Sequence, residues 1–226
     1  MFRIWAPDTA RPTKDIDFLH DDPIEPRNLE KMFALILAVP CLEDGVIFDV
    51  DSISSEPIKE TSVYEGLRIF FTGHLGSIKL NQQVDIAHGD VIHPKPLMTE
   101  YPTLLDLPAP NIQCYTVESA LAEKLHAMLM LGLLNSRMKD FYDTFYLLTH
   151  QKVDYPILNE AIAQTFKRRK TNWNSKSVIF SSEFAKDSQK QTQWRAFITK
   201  NNLTNAPTEF WVVMENIKAQ LTKLKL

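Results

Sequence analysis

Apolar and polar residues repeat with different periods in the two halves of the chain. Leu29, Met32, Phe33, Ile36 and Leu37 recur at the i, i+3, i+4 spacing that lines one helix face, so a helix is predicted from Leu29 to Val39, stopped by Pro40. Short β-like runs follow at Val46 to Val50, Leu67 to Phe71 and Ile78 to Ile86, separated by Gly and polar residues. In the last run Ile78, Leu80, Val84 and Ile86 share one parity, which turns Lys79 and Asp85 to the opposite face. Five prolines between Ile92 and Asn111 (Pro94, Pro96, Pro102, Pro108 and Pro110) predict an extended connection without regular structure. The boundary between halves is expected there, giving domains 1–112 and 113–226. Val117 to Leu134 carries Val117, Ala120, Leu121, Leu125, Met128 and Leu129 on one stripe, a strong helix signal, and a second helix is predicted from Ser136 to Thr149. Beyond Pro156, Lys-rich helical stretches alternate with aromatics such as Phe166, Trp173, Trp194, Phe197, Phe210 and Trp211, without an internal repeat. The pattern is α+β: a strand-rich first half and a helical second half.

Composition narrows the class of protein. With 226 residues, 44% of them hydrophobic and 23% charged, the chain resembles an ordinary soluble globule and can bury a core without staples. Cys41 and Cys114 form no disulfide framework and no CxxC metal clip, as expected in a reducing compartment. Apolar runs such as Met32 to Pro40 and Ala127 to Leu134 are far shorter than the ~18–20 residues that span a bilayer. Trp5, Pro7 and Asp8 interrupt any signal-peptide core, so a cytoplasmic protein without membrane attachment is expected.

Net charge −3 excludes coating of nucleic acid by bulk charge, although local patches are unequal. Asp15, Asp17, Asp21, Asp22, Glu25 and Glu30 crowd the first 30 residues, whereas Lys167, Arg168, Arg169 and Lys170 form a basic block. A cation suits the first cluster and a phosphate the second.

Candidate chemistry falls at four places. Asp15-Ile16-Asp17 on a strand would put two carboxylates on one face about 6–7 Å apart, with Ile16 anchoring the other face. Such a pair holds a hard cation, but the same pattern recurs in solvated acidic stretches. Asp85, between Val84 and Ile86, is a third acid displayed from a predicted strand; three acids on adjacent strands make a metal site, and an isolated one is an exposed strand acid. Lys124 sits within the apolar stripe of its helix, either reaching along the core edge into a cleft or snorkelling to water. Arg137, Asp140 and Asp143 flank a face of Met138, Phe141 and Phe145, where a simple Arg137–Asp140 salt bridge is the plainest reading. The six histidines show no HExxH spacing. GxxxxGK, GxGxxG and GxSxG are absent, which disfavours metalloprotease, P-loop, dinucleotide-binding and α/β-hydrolase chemistry.

Taken in order, Arg11-Pro12-Thr13-Lys14-Asp15-Ile16-Asp17-Phe18, Val84-Asp85-Ile86-Ala87-His88-Gly89-Asp90, Tyr115-Thr116-Val117-Glu118 to Ala122-Glu123-Lys124-Leu125, and Ser136-Arg137-Met138-Lys139-Asp140-Phe141-Tyr142-Asp143 resemble the AbiEii/AbiGii family. Its members are nucleotidyltransferase-like toxins of type IV toxin-antitoxin and abortive-infection systems. Phe166-Lys167-Arg168-Arg169-Lys170-Thr171 and Gln193-Trp194-Arg195-Ala196-Phe197 are similar to the family's C-terminal pattern, so the resemblance spans most of the chain. It implies a polymerase-β-like nucleotidyltransferase core, a short mixed sheet with helices, and a helical C-terminal half completing the active-site cleft. Asp15, Asp17 and Asp85 would then hold Mg²⁺ (or Mn²⁺) on a nucleoside triphosphate. Lys124 would meet the triphosphate, with Arg137 and Asp143 in nucleotide binding, and Asp140 would complete the last catalytic motif. The implied reaction moves NMP from an NTP to an acceptor, with the tRNA 3′ end and RNA contact by the basic block as expectations. A cognate antitoxin is the implied protein partner.

The family's first motif includes a Gly-Gly-Ser/Thr or Gly-Ser turn before the aspartate pair, and Met1 aligns just after it. The expectation is a core N-terminally truncated relative to the family, with an exposed edge that favours self-association into oligomers. A degenerate, non-catalytic antitoxin- or RNA-binding module is therefore the alternative reading, and phosphoryl transfer to a protein a third.

Overall fold

The structure, a computed structural model, describes residues 2–6, 11–13, 16–23, 25–41, 43–58, 66–89 and 92–225. Asp15, named above as a metal ligand, lies outside the described residues.

A short helix α1 (Phe2–Trp5) precedes strand β1 (Ile16–His20) and helix α2 (Pro26–Leu37). Pro26 starts α2 because its fixed φ and missing N–H are harmless in a first turn. Strands β2 (Val46–Pro57), β3 (Gly66–Leu75) and β4 (Ile78–His88) follow. Gly76, at φ 57°, supplies the left-handed residue that lets β3 turn directly into β4. The sheet order is β1-β4-β3-β2, with β1 parallel to β4 and the other pairs antiparallel. It is the small mixed sheet that the family resemblance implied. β2 is longer than its Val46 to Val50 apolar run because it continues, through an irregularity between Asp49 and Ser54, as a polar edge strand.

Leu29 and Phe33 of α2 bury themselves with Leu67, Ile69, Phe71, Val84 and Ile86, all from one parity of β3 and β4. Each such side chain contributes roughly 1.5–3 kcal/mol on leaving water. Ile16, expected to anchor β1, is instead 47% exposed, as is Phe18 at 52%. Among the described residues β1 is an edge strand of the sheet, paired on one side with β4.

The proline-rich connection holds more order than its composition predicts. Strand β5 (Leu97–Glu100), between Pro96 and Pro102, pairs antiparallel with β6 (Asn111–Cys114). A two-stranded ribbon tolerates flanking prolines because they fall outside the paired positions.

Helix α3 (Val117–Leu131) is capped by Thr116, whose hydroxyl accepts from Ser119 N–H. It stops three residues short of Leu134 because Gly132 takes φ 50°, and a 3₁₀ turn occupies Gly132–Leu134. Helices α4 (Met138–His150), α5 (Tyr155–Arg168), α6 (Ser182–Lys186), α7 (Ser188–Lys200) and α8 (Phe210–Leu221) complete the chain. Leu121, Leu125, Met128, Phe141, Trp194 and Phe210 are fully buried in their shared core. Phe210 meets Phe141 edge-on at 5.1 Å, an arrangement that adds to simple burial.

The chain divides into two compact units, Thr13–Asp90 and Met1–Pro12 together with Val91–Leu226. The helical unit thus takes in residues 91–112 and the first twelve residues, which the composition placed with the first half. Phe2 packs edge-on against Tyr146 at 5.2 Å, and Gln151 Nε2 donates to Trp5 O, which explains why α1 belongs with the helices.

Candidate active site

In the sheet unit, parallel pairing sets Asp17 opposite Asp85, and antiparallel pairing sets Arg68 opposite Asp85. Cross-strand partners share a face, so the three lie on the side opposite Val84, Ile86 and α2. Asp85 therefore faces away from the core, as its parity predicts, while its neighbours Val84 and Ile86 are each 2% exposed. Arg68 Nε donates to Asp85 Oδ1 at 2.7 Å and its Nη2 to Oδ2 at 2.8 Å, a two-pronged pair at partly open side chains. Among the described residues no group of three or more His, Cys, Asp or Glu is placed to hold a metal ion. The triad proposed from the sequence needs Asp15 as its third member.

In the helical unit, the candidate residues form one ion network. Arg11 Nε and Nη2 donate to the two oxygens of Asp143 at 2.8 and 2.7 Å, and Lys124 Nζ donates to Asp143 Oδ2 at 2.7 Å. Lys124 also lies 3.6 Å from Asp140 Oδ1, and Arg137 Nε 2.9 Å from Asp140 Oδ2. The Arg137 approach is not aligned as a hydrogen bond, so Asp140 Oδ2 is buried without an aligned donor. The Asp143 side chain is 1% exposed and Lys124 20%. Burial alone would raise the Asp143 pKa, but the Arg11 hydrogen bond and the Lys124 and Arg11 charges outweigh it and hold it below the usual carboxylate range. Arg11 is correspondingly raised, since its contacts with Asp143 outweigh its own burial.

Each helical candidate therefore has a partner. Lys124 does not snorkel freely, and the Arg137–Asp140 pair exists, embedded in a larger set of three cations and two carboxylates. Sequence reasoning missed the roles of Arg11 and Arg68. Arg68 could have been found from the strand register opposite Asp85. Arg11 stands 132 positions from its partner, and no local pattern reports that contact.

The basic block is divided as well. Arg169 is bound to Glu123 and approaches His126 Nδ1 at 3.3 Å, while His126 Nε2 meets Thr171 Oγ1 at 3.1 Å. Burial, with the Arg169 charge, lowers the His126 pKa to about 4. Lys167, Arg168 and Lys170 remain exposed.

A family model described as "Nucleotidyl transferase AbiEii toxin, Type IV TA system" matches residues 1–216. The chain belongs to the AbiEii family. Its counterpart in such a system is an antitoxin. Among solved structures, JHP933 from Helicobacter pylori is 17% identical with a TM-score of 0.51, over 96% of this chain and 80% of that one. That likeness shows a shared fold. An H. pylori protein described as a "putative nucleotidyltransferase" is 14% identical with a TM-score of 0.48, over 100% of this chain and 86% of that one. No curated protein sequence matches the chain. Among the described residues of this AbiEii member, no helix is long and apolar enough to cross a membrane.

Proposed function

We propose that this AbiEii member is a metal-dependent nucleotidyltransferase that moves NMP from an NTP to an RNA acceptor, such as a tRNA 3′ end. The observation that carries the reading is the side-by-side placement of Asp17 and Asp85 on one sheet face in a chain of this family. Their hard carboxylate oxygens suit Mg²⁺ or Mn²⁺. Arg68 donates one hydrogen bond to each Asp85 oxygen, leaving each a further lone pair for a cation. Asp17, Asp85 and Asp15 are the residues proposed to hold the metal. When bound, it would supply charge neutralisation at the phosphates and acidify the attacking hydroxyl.

In this reading the acceptor oxygen bonds to the α-phosphorus as the bond to the bridging oxygen breaks, releasing pyrophosphate. The hydroxyl proton passes to a carboxylate oxygen of the acid pair. Lys124 and Arg137 meet triphosphate charge: Lys124 Nζ has three N–H donors, and Arg137, with its side chain 46% exposed, engages Asp140 through Nε alone. Asp140 and Asp143 hold these cations in place.

The test is transfer of labelled NMP from each NTP to total tRNA with Mg²⁺ or Mn²⁺, for the wild type and for Asp17→Asn and Asp85→Asn. Loss of about 10³-fold or more in both variants, with an unchanged circular dichroism spectrum, is expected because charge stabilisation is the main catalytic term. Transfer retained in both would refute the assignment.

A further inference from the structure

A pocket of about 250 Å³ opens in the helical unit between the segment after α5 and the end of α8, lined by Trp173, Ser175, Phe180, Lys218, Leu221 and neighbours. Its floor is apolar, and its polar groups are mostly donors. Trp173 Nε1–H and the Ser175 hydroxyl have no hydrogen-bond partner among the described residues, and Lys218 Nζ makes only a 3.3 Å contact to Phe180 O. Trp173 is half-buried and braced by Phe166 at 5.8 Å and Phe180 at 6.1 Å, with interplanar angles of 75° and 46°. Neither ring stacks parallel on the indole, yet together they fix it.

The surroundings are strongly basic in a chain whose net charge is −3. Residues 165–176 contain five Lys or Arg, residues 216–225 contain three, and neither stretch contains Asp or Glu. Arg169 is committed to Glu123, and Lys223 lies 5.0 Å above the Tyr155 ring; Lys167, Lys170, Lys176, Lys218 and Lys225 are exposed. Drug-sized ligands occupy pockets of ~300–1,000 Å³, so this smaller one suits a single planar base better than a whole nucleoside triphosphate. A fixed aromatic beside unclaimed donors and phosphate-attracting lysines is the combination that holds single-stranded nucleic acid.

We infer that the Trp173 pocket binds an unpaired base of an RNA strand, whose flanking phosphates lie along Lys218 and the exposed lysines that follow α5. The inference rests on the reading of RNA as acceptor and gives that RNA a docking point within the helical unit, made of residues other than the acids and Lys124.

The test is fluorescence anisotropy of a short fluorescein-labelled oligoadenylate RNA with the full chain in EDTA, so that metal-dependent chemistry plays no part. Trp173→Ala should weaken binding about tenfold, the scale of one lost base-stacking contact, and Trp173→Phe should restore most of it. Ser175→Glu, at an exposed position and checked for an unchanged circular dichroism spectrum, should weaken binding by at least as much. Lys218→Gln should lower the slope of log K against log salt by about one, more than Lys31→Gln on α2 does. Full binding by Ser175→Glu and Trp173→Phe together with Trp173→Ala, or equal effects of Lys218→Gln and Lys31→Gln, would overturn the inference. So would the absence of wild-type binding, or free ATP competing as well as the oligonucleotide. Asp85→Asn should bind the RNA normally. If the wild type binds RNA through Trp173 but transfers no nucleotide, the catalytic reading fails alone; transfer without any effect of the pocket variants on binding sinks the pocket alone.

Discussion

Asp85 in the sheet and Asp143 in α4 both accept a two-pronged guanidinium, at 2.7–2.8 Å in each case, yet their surroundings differ. The Asp85 and Arg68 side chains are 20% and 32% exposed, on neighbouring strands 17 positions apart in sequence. Asp143 is 1% exposed, its Arg11 comes from the first residues of the chain, and Lys124 adds a second cation. Water screens the first pair, so its carboxylate is available to a ligand at modest cost to the fold. The second is sealed, and removing one member leaves buried charge uncompensated. A catalytic acid is better placed in the first environment and a scaffold acid in the second. That contrast is consistent with the proposed function, in which Asp85 serves chemistry and Asp143 holds Lys124 and Arg11.

The sharpest way to break the comparison is Asp143→Ala, which strands Arg11 and Lys124. A loss of roughly 3–5 kcal/mol in urea-unfolding free energy is expected. A loss below about 1 kcal/mol would place Asp143 in the same class as Asp85. Acid should act in the same direction. Because the folded-state pKa of Asp143 lies below its unfolded value, its stabilisation is complete above the unfolded pKa and fades as pH falls through the folded one. Urea midpoints measured downward from about pH 5 should drop more steeply for the wild type than for Asp143→Asn.

His126 gives a smaller effect in a different window. Its folded pKa of about 4 lies below the ordinary histidine value of 6.5, so protonation favours the unfolded chain. Stability from this group is full above about pH 6.5 and declines toward pH 4. Its ring resonances in an NMR titration should stay in the neutral position down to about pH 5. Titration near 6.5 would show that the Arg169–His126–Thr171 contacts do not form in solution.

Arg68→Gln and Asp85→Ala should each cost about 1 kcal/mol or less, because their pair is partly solvated. The smallest effect belongs to Arg195→Ala, whose partner Glu209 is 2.7 Å away at the surface, Arg195 being 60% exposed; a change within about 0.5 kcal/mol is expected in the same unfolding assay.

Much of the sheet unit was legible because its determinants are local. The period-2 parity of Val84, Asp85 and Ile86 fixed which side chain faces away from the core, and the i, i+3, i+4 pattern of Leu29, Phe33 and their neighbours fixed α2. Two errors arose where local signals misled. Five prolines hid the β5–β6 ribbon because pairing depends on a partner strand some dozen residues away, and Gly132 ended α3 earlier than its apolar stripe suggested. The order of acids, lysine and the Arg137 to Asp143 segment was enough to place the chain in its family, since a linear motif needs only sequence.

Sequence alone thus determined the α+β class and the core-facing sides of α2, β3 and β4, because hydrophobic periodicity and residue type act over a few positions. Beyond the local Arg137–Asp140 pair, only the tertiary structure decided which cation answers which carboxylate. Arg11 reaches Asp143, Arg68 reaches Asp85 and Arg169 reaches Glu123 because folding brings distant segments into contact. Whether each pair is screened by water or sealed from it then sets its strength.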